Sequence, residues 1–461
     1  MEVSEILVLM MFGTFLVFLF SGYPIAFVLG GVGVLFTGVG YYSDIYFDTI
    51  TGLDYTTLGL IANRVYKLVD NWILVALPMF IYMGLMLDRS AIAEKLMHSM
   101  QELFGAVRGG LAITVTMIGV ILAASTGIIG ASVVLLGVLS VPAMLNQGYN
   151  KELAVGVVCG AGCLGILIPP SIMLIIMSDQ LGLSVGDLFM GAVFPGLILG
   201  GLYTAYILIL GILKPDLVPL AENRRELSFM MVANVLKDIL PPLLLIISVL
   251  GSIFMGVATP TEASGVGAFG AMLLAAYNKK LSWHVLRETV QETLRTTGFI
   301  FGIFVGATCF ALVLRELGGD EFIEGLLNGL PFGPMGILIS ILGLVFFLGF
   351  FLDWIEITLI VLPLLAPVVS GMDFGISDYG GAVGDAPLVW FAVLVAVTLQ
   401  TSFLTPPVGF ALFYLKGVTP PEIKLEHLYR GVIPFVILQL IGLTIVVMYP
   451  SIVTWLPSVA Y

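Results

Sequence analysis

Apolar residues in this chain run in long unbroken blocks, not in the two-residue alternation of half-buried strands. Blocks long enough to cross a hydrocarbon core of about 30 Å fall near residues 5–21, 22–40, 71–87, 153–178, 188–213, 238–257, 259–277, 297–315, 388–412 and 430–455. Two further apolar stretches, 109–145 and 333–370, are each about twice too long for one span. Each has polar or glycine residues at its centre, "AASTGIIGAS" in the first and "FFLDWIEITL" in the second. Both are expected to be re-entrant hairpins, which enter and leave on one face. Non-helical backbone is tolerated at membrane depth where protein or a wet cavity covers it. The polar segments 41–70, 88–108, 222–237 and 279–296 are longer than tight turns. Within them, "SAIAEKLMHSMQELFG" and "SWHVLRETVQETLRTTG" alternate apolar and charged residues at helical spacing. That spacing predicts helices lying flat in the membrane interface.

Composition excludes a soluble class. Of 461 residues, 59% are hydrophobic and 10% charged, against about 25% charged in a soluble domain. The expected fold class is an all-α polytopic membrane protein. The first apolar run, from Ile6, lacks a basic n-region and a small-residue cleavage site, so it is expected to be retained as a span. Ten crossings and two hairpins place every loop on one of two sides. All of the 18 basic residues except Arg64, Lys67 and Arg315 then share one side. The positive-inside rule makes that side cytoplasmic, so both termini face outward. Cys159, Cys163 and Cys309 lie in apolar runs and read as small buried hydrophobes. His98, His284 and His427 lie in connecting segments. There is no GxxxxGK[ST] loop, so no built-in ATPase is expected, and nothing points to an enzyme, an organic cofactor or a nucleic-acid partner.

Self-comparison reveals a repeat. "SGYPIAFVLGGVGVLF" resembles "VATPTEASGVGAFGAM", aligning Pro24 with Pro260, and "LMLDRSAIAEKLM" resembles "LVLRELGGDEFIEGLL". The two long stretches match each other, Pro142 with Pro367, and "LGILIPPSIML" matches "TSFLTPPVGFAL". An acidic, Gly-rich insertion at 371–387 restores the offset. Residues 1–213 and 214–461 thus form two halves, each of five crossings and one hairpin. Five is odd, so the second half is inverted, and inverted repeats with broken helices point to a secondary transporter. The breaks are the double prolines, which remove backbone donors and clash with the preceding turn.

A helix broken at mid-membrane leaves carbonyls free on one fragment and N–H groups on the other, suited to a cation and to an anion respectively. Na⁺ is a hard cation that carbonyl and hydroxyl oxygens can hold. Cation candidates are Ser125, Thr126 and Gly127 at the first hairpin tip, Gly162 and Gly165 in the first broken helix, Asp353 and Thr358 in the second hairpin, and Thr401, Ser402 and Thr405 in the second broken helix. Candidates for binding an anionic substrate are Ser132, Pro169, Pro170, Ser171, Pro406, Pro407 and Gly409. Acids within a membrane are costly and mark function by default. Asp353 is the stronger of them, because the repeat sets it opposite Ser125–Thr126. Glu356 and Glu262 read equally well as partly solvated interfacial groups.

"DNWILVALPMFIYMGLMLDRSAIAEKL", "GYNKELAVGVVCGAGCLGILIPPSIMLII" and "ATPTEASGVGAFGAML" resemble the large membrane subunit of tripartite ATP-independent periplasmic (TRAP) transporters. The resemblance covers nearly the whole chain, and "GILIPPS" and "TPTEA" are its specific motifs. The chain departs from the common pattern at both hairpin tips, with "STGIIGAS" for an "SGSS"-like tip and "DWIEIT" for "DPT". The resemblance implies Na⁺-coupled import of a C4-dicarboxylate or related organic acid by an elevator-like motion. It also implies two partners, a small four-helix membrane subunit and a soluble periplasmic substrate-binding protein. The alternative of related fold is a stand-alone divalent-anion symporter or an ion antiporter. Ser125→Ala combined with Thr126→Ala, or Asp353→Ala alone, should abolish uptake without loss of membrane expression; near-normal Na⁺-driven uptake in either variant would remove those residues from the site.

Overall fold

In the computed structural model, which describes residues 3–126, 129–220, 228–376, 385–407 and 409–460, the apolar blocks become helices and no strand occurs among the described residues. The first half contains α1 (Val3–Leu19), α2 (Ile25–Tyr46), α3 (Gly59–Val69), α4 (Ala76–Arg89), α5 (Ile92–Phe104), α6 (Gly110–Thr126), α7 (Ile129–Asn146), α8 (Lys151–Cys163), α9 (Ile172–Leu181) and α10 (Val185–Leu213). The second contains α11 (Phe229–Phe254), α12 (Pro260–Tyr277), α13 (Trp283–Glu316), α14 (Gly319–Asn328), α15 (Pro334–Leu348), α16 (Trp354–Glu356), α17 (Leu362–Ser370), α18 (Ala386–Leu404), α19 (Phe410–Val418), α20 (Leu425–Met448) and α21 (Ser451–Ala460). Eight helices among the described residues are long and apolar enough to cross a membrane.

The helices sort into two packing groups. In one, α2, α4, α11, α12 and α13 lie against one another, with α1 on α2. In the other, α6 to α10 pack with α15 to α21. The arm α5 runs from α4 into α6 and packs on both α6 and α11. Between membrane helices there is little hydrophobic driving force, so close packing of small residues holds them together. The α8–α20 pair shows this. A Cβ on Gly156 would lie 2.1 Å from the Gly431 carbonyl oxygen, and a Cβ on Gly431 2.2 Å from that of Glu152. Only glycine lets these two backbones touch.

Helix starts follow ordinary capping chemistry. Asn150, Ser184, Ser228 and Ser282 each accept a backbone N–H in the first turn that follows. The "TPTEA" motif resolves into a capping box. Thr259 Oγ1 accepts from the Glu262 N–H, and the Glu262 carboxylate accepts from the Thr259 N–H at 2.9 Å. Glu262 is exposed and spent on this cap. Next to it, Thr261 donates to the Trp72 carbonyl at 2.9 Å, tying α12 to the 3₁₀ turn Trp72–Val75 that precedes α4.

Three elements differ from the sequence-based expectation. The charged segment 283–296 does not form a separate helix. It continues into the following crossing as the 34-residue α13, because no proline interrupts it. Residues 41–70 contain an amphipathic helix, α3, that composition alone did not separate from loop. The last apolar block does not run to residue 455: α20 stops at Met448, Pro450 follows, and α21 begins at Ser451. Gly156→Val should therefore lower the thermal midpoint of the detergent-solubilised protein, with an overpacking cost of about 1–3 kcal/mol. Gly13→Val, where a Cβ meets nothing within 4 Å, should leave it unchanged.

Candidate functional site

The double prolines do interrupt their helices. After α8 the chain makes a 3₁₀ turn at Leu164–Ile166, then a non-helical stretch through Pro169 and Pro170, before α9 starts at Ile172. After α18 it breaks at Thr405, Pro406 and Pro407 and resumes as α19 after Gly409, whose φ of +54° is the left-handed region that favours glycine. Both Pro–Pro bonds are cis. Every residue from Gly162 to Ser171 is buried, as it must be where lipid offers no hydrogen bonds.

Protein supplies that cover through the hairpins. Helices α6 and α7 pack on each other and on the Leu164–Ile166 turn. A Cβ on Gly162 would lie 2.5 Å from a Val133 methyl, and one on Gly119 2.6 Å from Ala161 Cβ. The neighbouring Ser132 is buried in the first turn of α7. In the second half α15 packs on α18, where a Cβ on Gly349 would meet Ser402 Oγ at 2.2 Å. The halves also interlock. The first hairpin lies on α19 through Gly130 against the Tyr414 ring and Gly137 against Leu415. The second hairpin packs on α9.

The candidate residues divide by what their polar atoms do. Ser171 Oγ donates to the Ile166 carbonyl, within the break itself. Thr401 and Thr405 donate back to the carbonyls of Val397 and Thr401 at 2.8 Å each, and Ser402 to that of Leu399 at 2.7 Å. Some chain-end carbonyls are therefore already taken: those of Ile166 and Thr401 by hydroxyls, and that of Ser402 by the Thr405 N–H at 3.0 Å. Asp353 caps α16, accepting from the Trp354 N–H at 2.8 Å. Gly165 and Thr358 are fully enclosed. The backbone of Ser125 and Thr126 ends α6. Their side chains, and Gly127 as a whole, lie outside the described residues.

Three features were not read from the sequence. The first is a π-helical turn, Ile357–Val361, that holds Thr358 in the second hairpin. Such turns recur at functional sites, and no residue type announces one. The second is Gln400, one residue before Thr401. Both its amide atoms are buried without a hydrogen-bond partner among the described residues, as are Thr358 Oγ1 and Glu356 Oε2. Its signal was present as the lone amide in the apolar run of α18. The third is Tyr414, which touches the first hairpin at Gly130 and lies within the electrostatic reach of Asp353 in the second. Glu356 is 3% exposed and feels the Asp353 charge, so it belongs with the buried group and not at an interface.

Leaving a buried polar atom unpaired costs about 1–3 kcal/mol. The unpaired atoms of Glu356, Thr358 and Gln400 fall in the second hairpin and the helix beside it. They supply carboxylate, hydroxyl and amide oxygens, the ligand set of a hard cation. The amide also offers N–H donors to an anion.

A family profile described as "Tripartite ATP-independent periplasmic transporter, DctM component" matches residues 12–452. The isethionate TRAP transporter permease protein DctMQ of Oleidesulfovibrio alaskensis is 29% identical over 96% of this chain, which spans 65% of that relative's length. The C4-dicarboxylate TRAP transporter large permease protein DctM of Vibrio cholerae is 28% identical over 95% of this chain and 94% of its own. The sialic acid TRAP transporter large permease protein SiaM of the same organism is 27% identical over 94% and 97%. The YdaH transporter of Alcanivorax borkumensis shares the fold, with a TM-score of 0.61 over 86% of this chain and 89% of that one at 12% identity.

Replacing an unpaired buried polar group by an apolar one of the same shape is neutral or stabilising. Thr358→Val and Gln400→Leu should each leave the thermal midpoint unchanged or raise it, by up to about 1 kcal/mol of stability. A clear fall in either variant would mean that the replaced group has a structural partner.

Proposed function

The chain belongs to the DctM component family of tripartite ATP-independent periplasmic transporters, and from that premise we propose that it imports an organic acid coupled to Na⁺. It is a membrane-embedded large permease subunit and not an enzyme. In this reading a periplasmic binding protein delivers the acid, a small four-helix membrane subunit completes the permease, and the assembly sits in a bacterial inner membrane with both termini in the periplasm. The two halves, 1–213 and 214–461, are inverted repeats. The observation that carries the proposal is the burial of the first helix break under the first hairpin and the packing of the second hairpin on α18 and α9, with unpaired polar atoms of Glu356, Thr358 and Gln400 buried in that second hairpin and in α18.

The mechanism follows from what these groups can hold. Na⁺ held by the buried oxygens of Glu356, Thr358 and Gln400 satisfies polar atoms that are costly when unpaired. The positive ends of α9 and α19 then favour a carboxylate. Ion binding shifts the population towards the acid-binding state, because the ion interacts more strongly with that state. Movement of the hairpin group as one body, relative to the group of α2, α4, α11, α12 and α13, exposes the site to each side in turn. The relatives carry isethionate, C4-dicarboxylate and sialic acid in their names. An organic anion is the shared chemistry, and the carboxylate is the proposed form here.

Reconstitution with the cognate small subunit and binding protein tests this. Uptake of a labelled organic acid into liposomes should need an inward Na⁺ gradient and the binding protein. Thr358→Val should reduce it at least tenfold while the protein stays folded. Uptake that persists without Na⁺ would overturn the coupling, and uptake without any binding protein would favour a stand-alone symporter or antiporter.

A further inference from the structure

A polar cleft lies apart from the broken helices, between α5, α11 and α12. Its volume is about 520 Å³, and Lys95, Lys237, Asp238, Tyr277 and Lys279 line it over Pro241 and Pro242. We propose that this cleft binds the headgroup of an anionic phospholipid of the phosphatidylglycerol type. The inference does not depend on the transported substrate.

Charge is the first argument. Three ammonium groups face one carboxylate. That carboxylate, Asp238, already accepts a hydrogen bond from Ser99. Lys95 donates to the Asn278 side chain at 2.5 Å. Lys237 and Lys279 have no acidic partner among the described residues and are both exposed. Two free cations beside a cleft of headgroup size favour a phosphate, and basic pockets between membrane helices bind anionic headgroups.

Backbone chemistry is the second. Pro241 and Pro242 have no N–H, so the carbonyls of Lys237 and Asp238, one turn earlier on the same face of α11, lose their helical donors. Free carbonyls next to cationic side chains suit a headgroup that carries hydroxyl donors as well as a phosphate. Glycerol supplies the donors. Choline has none, and its permanent positive charge would face the lysines.

Depth is the third. Tyr277 and Trp283, 72% and 77% exposed, stand where aromatic residues mark the membrane interface. From the cleft, Leu236, Leu240 and Leu244 form an exposed apolar row along α11 at the i, i+4 spacing of one helix face, a track for acyl chains. A free anion in solution would have no use for it.

The intact chain, equilibrated in detergent with equal phosphatidylglycerol and phosphatidylcholine, should retain the former at least tenfold over the latter in native mass spectrometry. Lys237→Gln with Lys279→Gln should lower that preference at least fivefold. The control of equal charge loss on the same side, Lys214→Gln with Lys280→Gln, should not. Millimolar glycerol phosphate or inorganic phosphate should fail to displace the lipid. Equal retention of the two lipids by the unaltered protein would overturn the proposal even if a variant failed to fold. So would equal loss in both double variants, or displacement by the soluble phosphates.

Discussion

Non-helical backbone cannot face lipid, because each unpaired polar group there costs several kcal/mol. Once the chain places two prolines in the middle of α8–α9 and again between α18 and α19, that constraint decides much of the architecture. A break at that depth needs protein beside it. The α6–α7 hairpin buries the first, and the hairpin of α15 to α17 packs on α18, leaving Thr405 and Pro406 half-buried and Pro407 exposed at the second. The wrapping has to be close, so glycine recurs where the surfaces meet, as Gly119 and Gly162 in the first half and Gly349 in the second. The cross-packing of each hairpin on the other half's broken helix follows as well. Fragments as short as α9 and α19 present too little surface to be held by one neighbour alone.

Wrapping the breaks does not make them inert. Hydroxyls of Ser171, Thr401, Ser402 and Thr405 take up nearby carbonyls, and this local pairing keeps the breaks affordable without any ligand. Among the polar atoms that stay unpaired are Thr358 Oγ1 in the π turn, Glu356 Oε2 just before it and the Gln400 amide in α18. A chain under selection for packing alone would replace Thr358 by valine at no loss of volume. Retaining the hydroxyl makes sense if something visits it, which is how strain and unpaired groups gather at functional positions.

Much of this was legible in the sequence because the physics was local. The double prolines announced the breaks at 169–170 and 406–407. The doubled length of 109–145 and 333–370 announced hairpins, and the apolar block 259–277 announced the crossing that "TPTEA" opens. What was not legible depends on distant partners or on competing closely balanced structures. Nothing in "SWHVLRETVQETLRTTG" says that it will join the next span, because a continuous helix and a bent one bury similar side chains. A π turn differs from an α turn by one inserted residue. Tyr414 reads as an ordinary lipid-facing aromatic until the fold places Gly130 against its ring. Glu262 and Glu356 looked alike in the sequence. The fold separates them, one exposed and spent on a cap, the other buried beside Asp353.

The two halves agree where the constraint acts and differ where it does not. Breaks and hairpins recur in both, since non-helical backbone at membrane depth needs protein beside it in either. The arms are free to diverge. In the second half the arm and crossing are one helix, α13; in the first, α3 and α4 are separated at Asn71, which caps the intervening turn. That interruption gives the first half a polar contact that an unbroken α13 does not need. The Asn71 amide donates to Asp179 at the end of α9, while the Trp72 carbonyl accepts from Thr261 of α12. One short turn thus joins the broken-helix group to the opposing helix group through hydrogen bonds that can be exchanged for water at low net cost. A seam of that kind holds two packed bodies in register without fusing them, which suits bodies that must slide past each other.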